Sequence, residues 1–419
     1  MELEQSSASP SRGWSVVAAG TGINLILGSL YAWSVVGRAL QSQWHWTKAQ
    51  AALPFSISTA CFAFTMIFAG RWQDKVGPRI VAFVGGVMFG LGVFVSAFAK
   101  TPLFMALSYG VLAGMGIGLC YSATTPPAVK WFPPGRKGLI AGIVVSGIGL
   151  AAVYASPLWQ YLIGVKGISQ TFEYLGVGGI VLICVLSMGL VNPPVGFVAA
   201  AAPSGGPARP KPAGKVDLDW HEMLRTKRFY MLWLMLLLGA SAGLMIIGNI
   251  ATIAKEQADL TKLGYLPVAL LAIFNTLGRL ISGTVSDRIG RTQTMMLAFV
   301  LQAANMFAFA HYHTEAMVYF GASFTGLCYG TIFPLMPAAI ADFYGVKNLG
   351  VNYGLLFTAF GVAGIVGPVF GARIADIYGS FATSYTIAAV MLLVGAALAL
   401  ATRPPKILAA QPESAGKPA

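Results

Sequence analysis

The chain has 419 residues, 56% of them hydrophobic and only 10% charged, with a formal net charge of +13 and a mean hydropathy of +0.72. A soluble domain carries about 25% charged residues, so a water-soluble globule is excluded and an all-α integral membrane protein is expected. The four cysteines, Cys61, Cys120, Cys184 and Cys328, sit inside apolar stretches without metal-type spacing, so neither a metal site nor a disulfide framework is expected.

The N-terminal stretch MELEQSSASPSRGW, residues 1–13 of which are read as a cytoplasmic N-terminus, has acids before the first apolar segment and no small-residue cleavage site. No removable signal peptide is expected. A bilayer-crossing helix takes about 20 mainly apolar residues. The apolar stretches predict twelve, at 14–38, 49–72, 79–99, 102–127, 137–161, 168–192, 228–254, 263–286, 293–312, 315–341, 349–373 and 380–402. Six fall in 14–193 and six in 228–402. The linker, 194–227, opens Pro/Gly/Ala-rich and closes on a short stretch that Asp217 or Asp219 caps, with Trp220, Met223 and Leu224 as an apolar stripe, read as an interfacial helix. The tail, 403–419, is expected to be disordered.

With both ends placed inside, nineteen of the 27 Lys and Arg fall in inner segments and seven in outer ones. This bias follows the positive-inside rule, so both termini are predicted cytoplasmic. The basic balance therefore reports topology in a lipid bilayer, here the plasma or inner membrane, and no nucleic-acid partner is expected.

After its second predicted helix each half repeats one signature, GRWQDKVGPR at 70–79 and GTVSDRIGRT at 283–292. Both read Gly, three residues, Asp, a basic residue, any residue, Gly. Gly70 and Gly283 are expected to permit close helix packing. Asp74 and Asp287 are expected to pair with cations or cap a helix N-terminus, with Arg79, Arg288 and Arg291 completing a cytoplasmic gate. These features resemble the major facilitator superfamily. The resemblance implies two pseudo-symmetric six-helix bundles that rock around a midplane site. The stretch KWFPPGRKGLIAGIVVSGIG, residues 130–149, is similar to the run leading into helix five of monocarboxylate transporters and the related oxalate/formate exchangers. HEMLRTKRFYMLW and LYAWSV also resemble the exchanger branch.

Arg279 is the first charge after Lys262 in an uncharged, largely apolar run. It lies eight residues before Asp287, hence about 12 Å from the helix end at ~1.5 Å per residue, near the middle of a core about 30 Å thick. A central Arg costs from about 3 to more than 10 kcal/mol, so it should face a polar cavity and an anion. No acidic residue is predicted near the midplane. Its counter-ion is read as a substrate carboxylate held bidentately, against an internal ion pair or a carbonyl-bonded Arg. The exchangers place a Lys where this chain has Phe360, so one cation instead of two favours a monocarboxylate. Lactate, pyruvate or a similar short acid matches the family.

Asn275, four residues before Arg279, shares its helix face. Monocarboxylate transporters typically have Asp there, associated with proton coupling. Asn275 cannot titrate and is read as bonding either a substrate hydroxyl or another helix. Tyr31, Tyr121 and Tyr329 match aromatic positions around the carboxylate in the exchanger branch, and Phe333, Phe357 and Leu27 join them as lining candidates, with Asn24, Asn249 and Ser146 behind; packing alone is the competing reading for each.

The family implies proton symport. Moving an uncompensated anion against 100 mV costs about 2.3 kcal/mol, which one co-transported proton removes. Glu256, Asp259 and His45 are the proton-carrier candidates, and protonation of the substrate is another route. The alternatives are oxalate/formate-type exchange and a receptor that binds a carboxylate without moving it. No acid/base pair, nucleophile constellation or phosphate loop appears, so neither enzyme activity nor a cofactor is expected, and the protein is expected to work as a monomer.

Overall fold

The computed structural model describes residues 10–132, 137–194, 197, 218–260, 264–345 and 348–402; within them, nothing is described of the side chains of Pro10, Asp74, 137–139, Thr284, Asp287, 349 and 350. The described residues form twelve long helices and no strand. In the first half these are α1 (Ser11–Gln43) and α4 (Pro102–Lys130), with α2 (Lys48–Val76) and α3 (Pro78–Ser96) between them. One continuous stretch, Lys137–Ser187, then breaks at Gly167 (φ 78°) into α5 (137–166) and α6 (168–187). The second half holds α7 (Lys227–Ala258), α8 (Leu266–Ile289), α9 (Arg291–Phe309), α10 (Glu315–Tyr344), α11 (Val351–Tyr378) and α12 (Ala382–Ala401).

Ten stretches are long and apolar enough to cross a membrane by length and composition. Twelve follow because one of them folds back at Gly167 and because α9 falls short of the apolar criterion. The shortfall in α9 has a packing cause. Gln302 and Asn305 are buried and both donate to Thr325 Oγ1 on α10, at 3.1 and 3.0 Å. Polar side chains in this helix therefore bond across to a neighbour instead of facing lipid. An even number of crossings puts the two described chain ends on one face of the bundle, the terminal face; the opposite one is the far face.

Both signature repeats end the same way. Gly77 (φ 90°, ψ 160°) and Gly290 (φ 98°, ψ 155°) terminate α2 and α8 in a conformation open essentially to glycine alone. The second glycine of each repeat therefore carries the backbone requirement. The first does not pack closely as expected: a Cβ at Gly70 or Gly283 would meet no atom within 4 Å. Among the described residues, no neighbouring helix comes within 4 Å of a Cβ at these two positions. The repeats' Asp74 and Asp287 lie outside the described side chains.

The close approach lies instead between α8 and α10. A Cβ at Gly278 would meet the carbonyl of Leu327, and one at Gly326 or Gly330 would strike the α8 backbone at Leu271 or Asn275. Gly326 and Gly330 form a small-xxx-small pair, and they clamp the α8 turn that carries Asn275 and Arg279. The short linker helix appears at Trp220–Leu224, capped by Asp219 in a capping box with Glu222. Met223 is fully buried, Trp220 is exposed, and the Leu218 carbonyl accepts from Asn348 and Asn352. This segment is thus docked on the second half by the Leu218 backbone and by the buried Met223, while Trp220 of the expected stripe stays exposed. The remaining linker and tail expectations fall outside the described residues.

Gly330→Val, which forces a branched side chain into the Asn275 backbone, is expected to cost at least the ~1–3 kcal/mol of overpacking. In thermal denaturation of the detergent-solubilised protein it should lower the midpoint by several degrees. Gly354→Ala, where a Cβ meets nothing within 4 Å, should not lower it.

Candidate functional site

Arg279 is half-buried, midway along α8, and its Nε donates to Asn275 Oδ1 at 3.2 Å. Its guanidinium carbon stands 4.7 Å from the centroid of Phe333 on α10, a cation–π contact strengthened by exclusion of water. The Tyr31 side chain of α1 adjoins the guanidinium and Tyr329. No carboxylate pairs with Arg279 among the described residues. A guanidinium has five N–H donors and Asn275 takes one, so most of its hydrogen-bonding capacity and its whole charge remain for a ligand.

Local backbone geometry sets these positions. The α1 helix tightens to a 3-10 segment over Gly28–Ala32, which carries Tyr31, and a Cβ at Gly28 would strike Ile148 of α5. From α5, Gly149 opposes α8: a Cβ there would lie 2.9 Å from Thr276 Oγ1 and 4.0 Å from Arg279 Cζ. The guanidinium therefore sits at the seam between the halves.

Around it runs an aromatic wall. Phe333 meets Tyr329 at 5.0 Å and Phe360 at 5.6 Å. Phe360 stacks on Phe357 at 4.9 Å, and Phe62 of α2 touches Tyr121, Phe357 and Phe360 at 5.3 to 6.1 Å. Tyr121 and Tyr353 retain accessible surface although both stand in the electrostatic field of Arg279, as residues lining an internal space do. Tyr329 carries a buried hydroxyl with the Tyr31 side chain beside it.

Of the expected lining residues, Arg279, Asn275, Tyr31, Tyr121, Tyr329, Phe333 and Phe357 thus come together. Leu27 is fully buried. Asn24 Nδ2 donates to the Val144 carbonyl and Thr124 Oγ1 while its buried Oδ1 has no partner among the described residues, Asn249 donates to the Met245 and Pro368 carbonyls, and Ser146 donates to the Ile143 carbonyl of its own helix. Sequence reasoning passed over Phe62, Tyr353 and Gly149. Tyr353 was within reach, four residues before Phe357 on one helix face, whereas Phe62 and Gly149 are brought in by tertiary packing alone.

The proton-carrier candidates lie elsewhere, at the far face. Glu256 pairs with Lys48 at 2.9 Å across the two halves. Asp259 ends α7 in a left-handed conformation (φ 50°), and His45 (φ 56°) is exposed in the α1–α2 turn. Nearby, both carboxylate oxygens of Asp376 accept from the backbone N–H groups of Lys48 and Ala49, at 3.0 and 2.9 Å. An acid of the second half thus rests on the positive N-terminal end of α2 in the first. Gln41 adds a bond to Thr252 and Arg38 one to the Leu260 carbonyl, each 3.0 Å. Together these cross-half contacts hold the far face shut. At the terminal face Arg79 bonds the Met188 carbonyl at 2.7 Å, and Arg291 bonds Ser286 and pairs with Asp342 at 3.5 Å. Both sets stay within one half, and Arg288 is exposed.

Comparison with known proteins agrees with this architecture. The family model described as Major Facilitator Superfamily matches residues 15–313 and 266–419. The chain belongs to the major facilitator superfamily. It is 28% identical over 378 residues to an oxalate:formate antiporter of Oxalobacter formigenes, covering 90% of this chain and 87% of that one. It is 25% identical over 403 residues to monocarboxylate transporter 13 of Rattus norvegicus, covering 92% and 88%. In fold it resembles a bacterial homologue of the human lysosomal transporter Spinster, solved inward-facing and occupied, with TM-score 0.70 and 14% identity over 94% of this chain and 97% of that one. Members of this superfamily are transporters, not enzymes, and the chain is a multi-pass membrane protein of that kind.

The far-face clamp yields a prediction. An exposed ion pair contributes about 0.2–1 kcal/mol, so Glu256→Gln alone should shift the closed population by at most about fivefold. Adding Asp376→Asn, which removes the charge from the α2 terminus, should shift it further. Thiol labelling at Ala39→Cys, in a background without the native cysteines, should accelerate in that order.

Proposed function

We propose that the protein is a secondary active transporter of short monocarboxylates, lactate, pyruvate or a close analogue, whose carboxylate binds Arg279 while the two halves rock around it. One observation carries this reading: a guanidinium at the seam, fixed by a neutral Asn and an aromatic ring, with no carboxylate of its own among the described residues. Two parallel N–H donors match a carboxylate, and the tyrosine and phenylalanine wall suits a short alkyl or hydroxyalkyl remainder. Phe360 is buried in that wall, which leaves one cation and a low-dielectric surround unfavourable to a second negative charge. The charge bias of the loops supports cytoplasmic termini, and on that orientation the clamped far face is the outer one and the conformation is closed to the outside. Relatives named for monocarboxylates and for oxalate and formate support an organic-anion substrate.

Proton symport fits the electrical cost of moving an anion inward. A second reading, anion exchange, is favoured by Asn275: the residue touching Arg279 cannot titrate, and among the described residues no carboxylate pairs with Arg279. Labelled L-lactate uptake into liposomes separates the two. Symport predicts uptake into substrate-free vesicles driven by an inward proton gradient, and exchange predicts uptake only into preloaded ones. In either case Arg279→Ala should lower uptake by at least about a hundredfold, the loss of a charge-assisted, bidentate pair of ~3 kcal/mol or more. Unchanged uptake in that variant would remove the proposal.

A further inference from the structure

Each half holds its own side of the central site rigidly. In the first half two glycines fix α5 against α1: a Cβ at Gly28 would strike the Ile148 backbone, and one at Gly147 would lie 2.6 Å from the Thr21 carbonyl oxygen. In the second half Gly278, Gly326 and Gly330 fix α8 against α10, again backbone to backbone. Gly149 lies between these two rigid bodies. It is buried on α5, and a Cβ there would meet two described atoms within 4 Å, both on side chains of α8: Thr276 Oγ1 at 2.9 Å and Arg279 Cζ at 4.0 Å.

The bare backbone at this position therefore decides how closely the halves meet beside the charge. Thr276 does not readily yield to a larger neighbour. Its χ1 is stiff because its Cβ is branched, and its Oγ1 donates to the Ala272 carbonyl at 3.2 Å. A methyl group added at 149 would push α5 and α8 apart. The place of the contact gives that push a direction. Chain order runs α8 from the far face to the terminal face, so Thr276, three residues before Arg279, lies about 4.5 Å nearer the far face at ~1.5 Å per residue. A wedge there props open the side of the seam that Asp376, Glu256 and Gln41 hold shut.

We propose that Gly149 is the closing stop of the far gate: its missing side chain lets Thr276 settle against α5 and sets how far the halves shut over Arg279 on that side. The contacts at the rim hold the closed state, and the Gly149–Thr276 contact sets its depth. Gly149 is thus a positioning residue that acts through the fit of α5 on α8. A residue with any side chain here would leave the halves ajar just beyond the guanidinium. The inference rests on the transport reading above for what closure encloses, a carboxylate on Arg279; the contact itself is tested without substrate.

Thiol labelling at Ala39→Cys, in a background without the native cysteines, reports opening of the far face. Gly149→Ala is expected to accelerate it at least about fivefold, the population change that the lower end of the cost of overpacking brings. Thr276→Ala in the same chain removes the atom that the new methyl strikes and should return labelling to its original rate, whereas Thr276→Ala alone should not accelerate it. Thr276→Leu, which fills the contact from the α8 side, should act as Gly149→Ala does. Gly147→Ala is the contrast: its Cβ strikes the backbone of its own half, so it should lower the thermal midpoint and gain nothing from Thr276→Ala. Unchanged labelling in both Gly149→Ala and Thr276→Leu overturns the inference, as does an acceleration in Gly149→Ala that Thr276→Ala leaves in place, which would report general loosening. In vesicles, L-lactate uptake should slow in Gly149→Ala and recover with Thr276→Ala. Wild-type vesicles that move L-lactate, pyruvate and formate in neither mode would overturn the transport reading, and labelling would still decide the contact. Wild-type transport beside unaltered labelling in the variants overturns this inference alone.

Discussion

The structure depends on one constraint: a permanent positive charge must be accommodated in the middle of an apolar bundle. Arg279 cannot shed its proton, and the bilayer offers no water to solvate it. Asn275 meets one donor and Phe333 one face of the guanidinium. Neither neutralises it. The surrounding fold follows from keeping that charge in place without cancelling it. Gly326 and Gly330 bring α10 against α8 so closely that the Asn275 backbone is clamped, and the same approach sets Phe333 beside Arg279. Gly149 lets α5 of the opposite half face the guanidinium, so the charge sits where the two halves meet and not inside one of them.

That placement links binding to movement. A ligand on Arg279 touches a seam, and its contacts depend on how the halves are set. At the far face the seam is held by bonds that cross it: Asp376 on the start of α2, Lys48 on Glu256, Gln41 on Thr252 and Arg38 on Leu260. These are exposed or half-exposed contacts, individually modest and readily exchanged with water. Such strength suits a clamp that must open in every cycle; a large apolar interface would hold one state too firmly. At the terminal face, the bonds described for Arg79 and Arg291 lie within their own halves.

The parts of this account that were legible in the sequence are those written locally. Hydropathy and the paired signatures predict twelve helices in two groups, and the isolated charge of Arg279 predicts an anion-facing site before any packing is known. Asn275 is legible because four residues are one helical turn. What escaped depends on which helix lies next to which. Gly70 and Gly283 look like packing glycines from their motif but face open space, while the glycines that clamp α8 belong to α10 and carry no motif beyond their four-residue spacing. Phe62 and Gly149 join the site only through the meeting of the halves. Glu256 and Asp259 are acidic residues at the far face, and the sequence does not tell that Glu256 bonds across the seam or that Asp259 lies near Arg38. For α9 the helix was legible and its inward-turned Gln302 and Asn305 were not, because hydropathy is blind to a hydrogen bond made with another helix.

The central claim, that Arg279 binds its anion because no described residue neutralises it, is tested most directly by giving it a counter-ion. L-Lactate affinity of the purified protein would be measured calorimetrically across pH for the wild type and for Asn275→Asp. A carboxylate at that position competes with the ligand while ionised and stops competing when protonated. The variant should therefore bind more weakly than the wild type at neutral pH and approach the wild type as the pH falls. Affinity in Asn275→Asp equal to the wild type across the whole range would contradict the account.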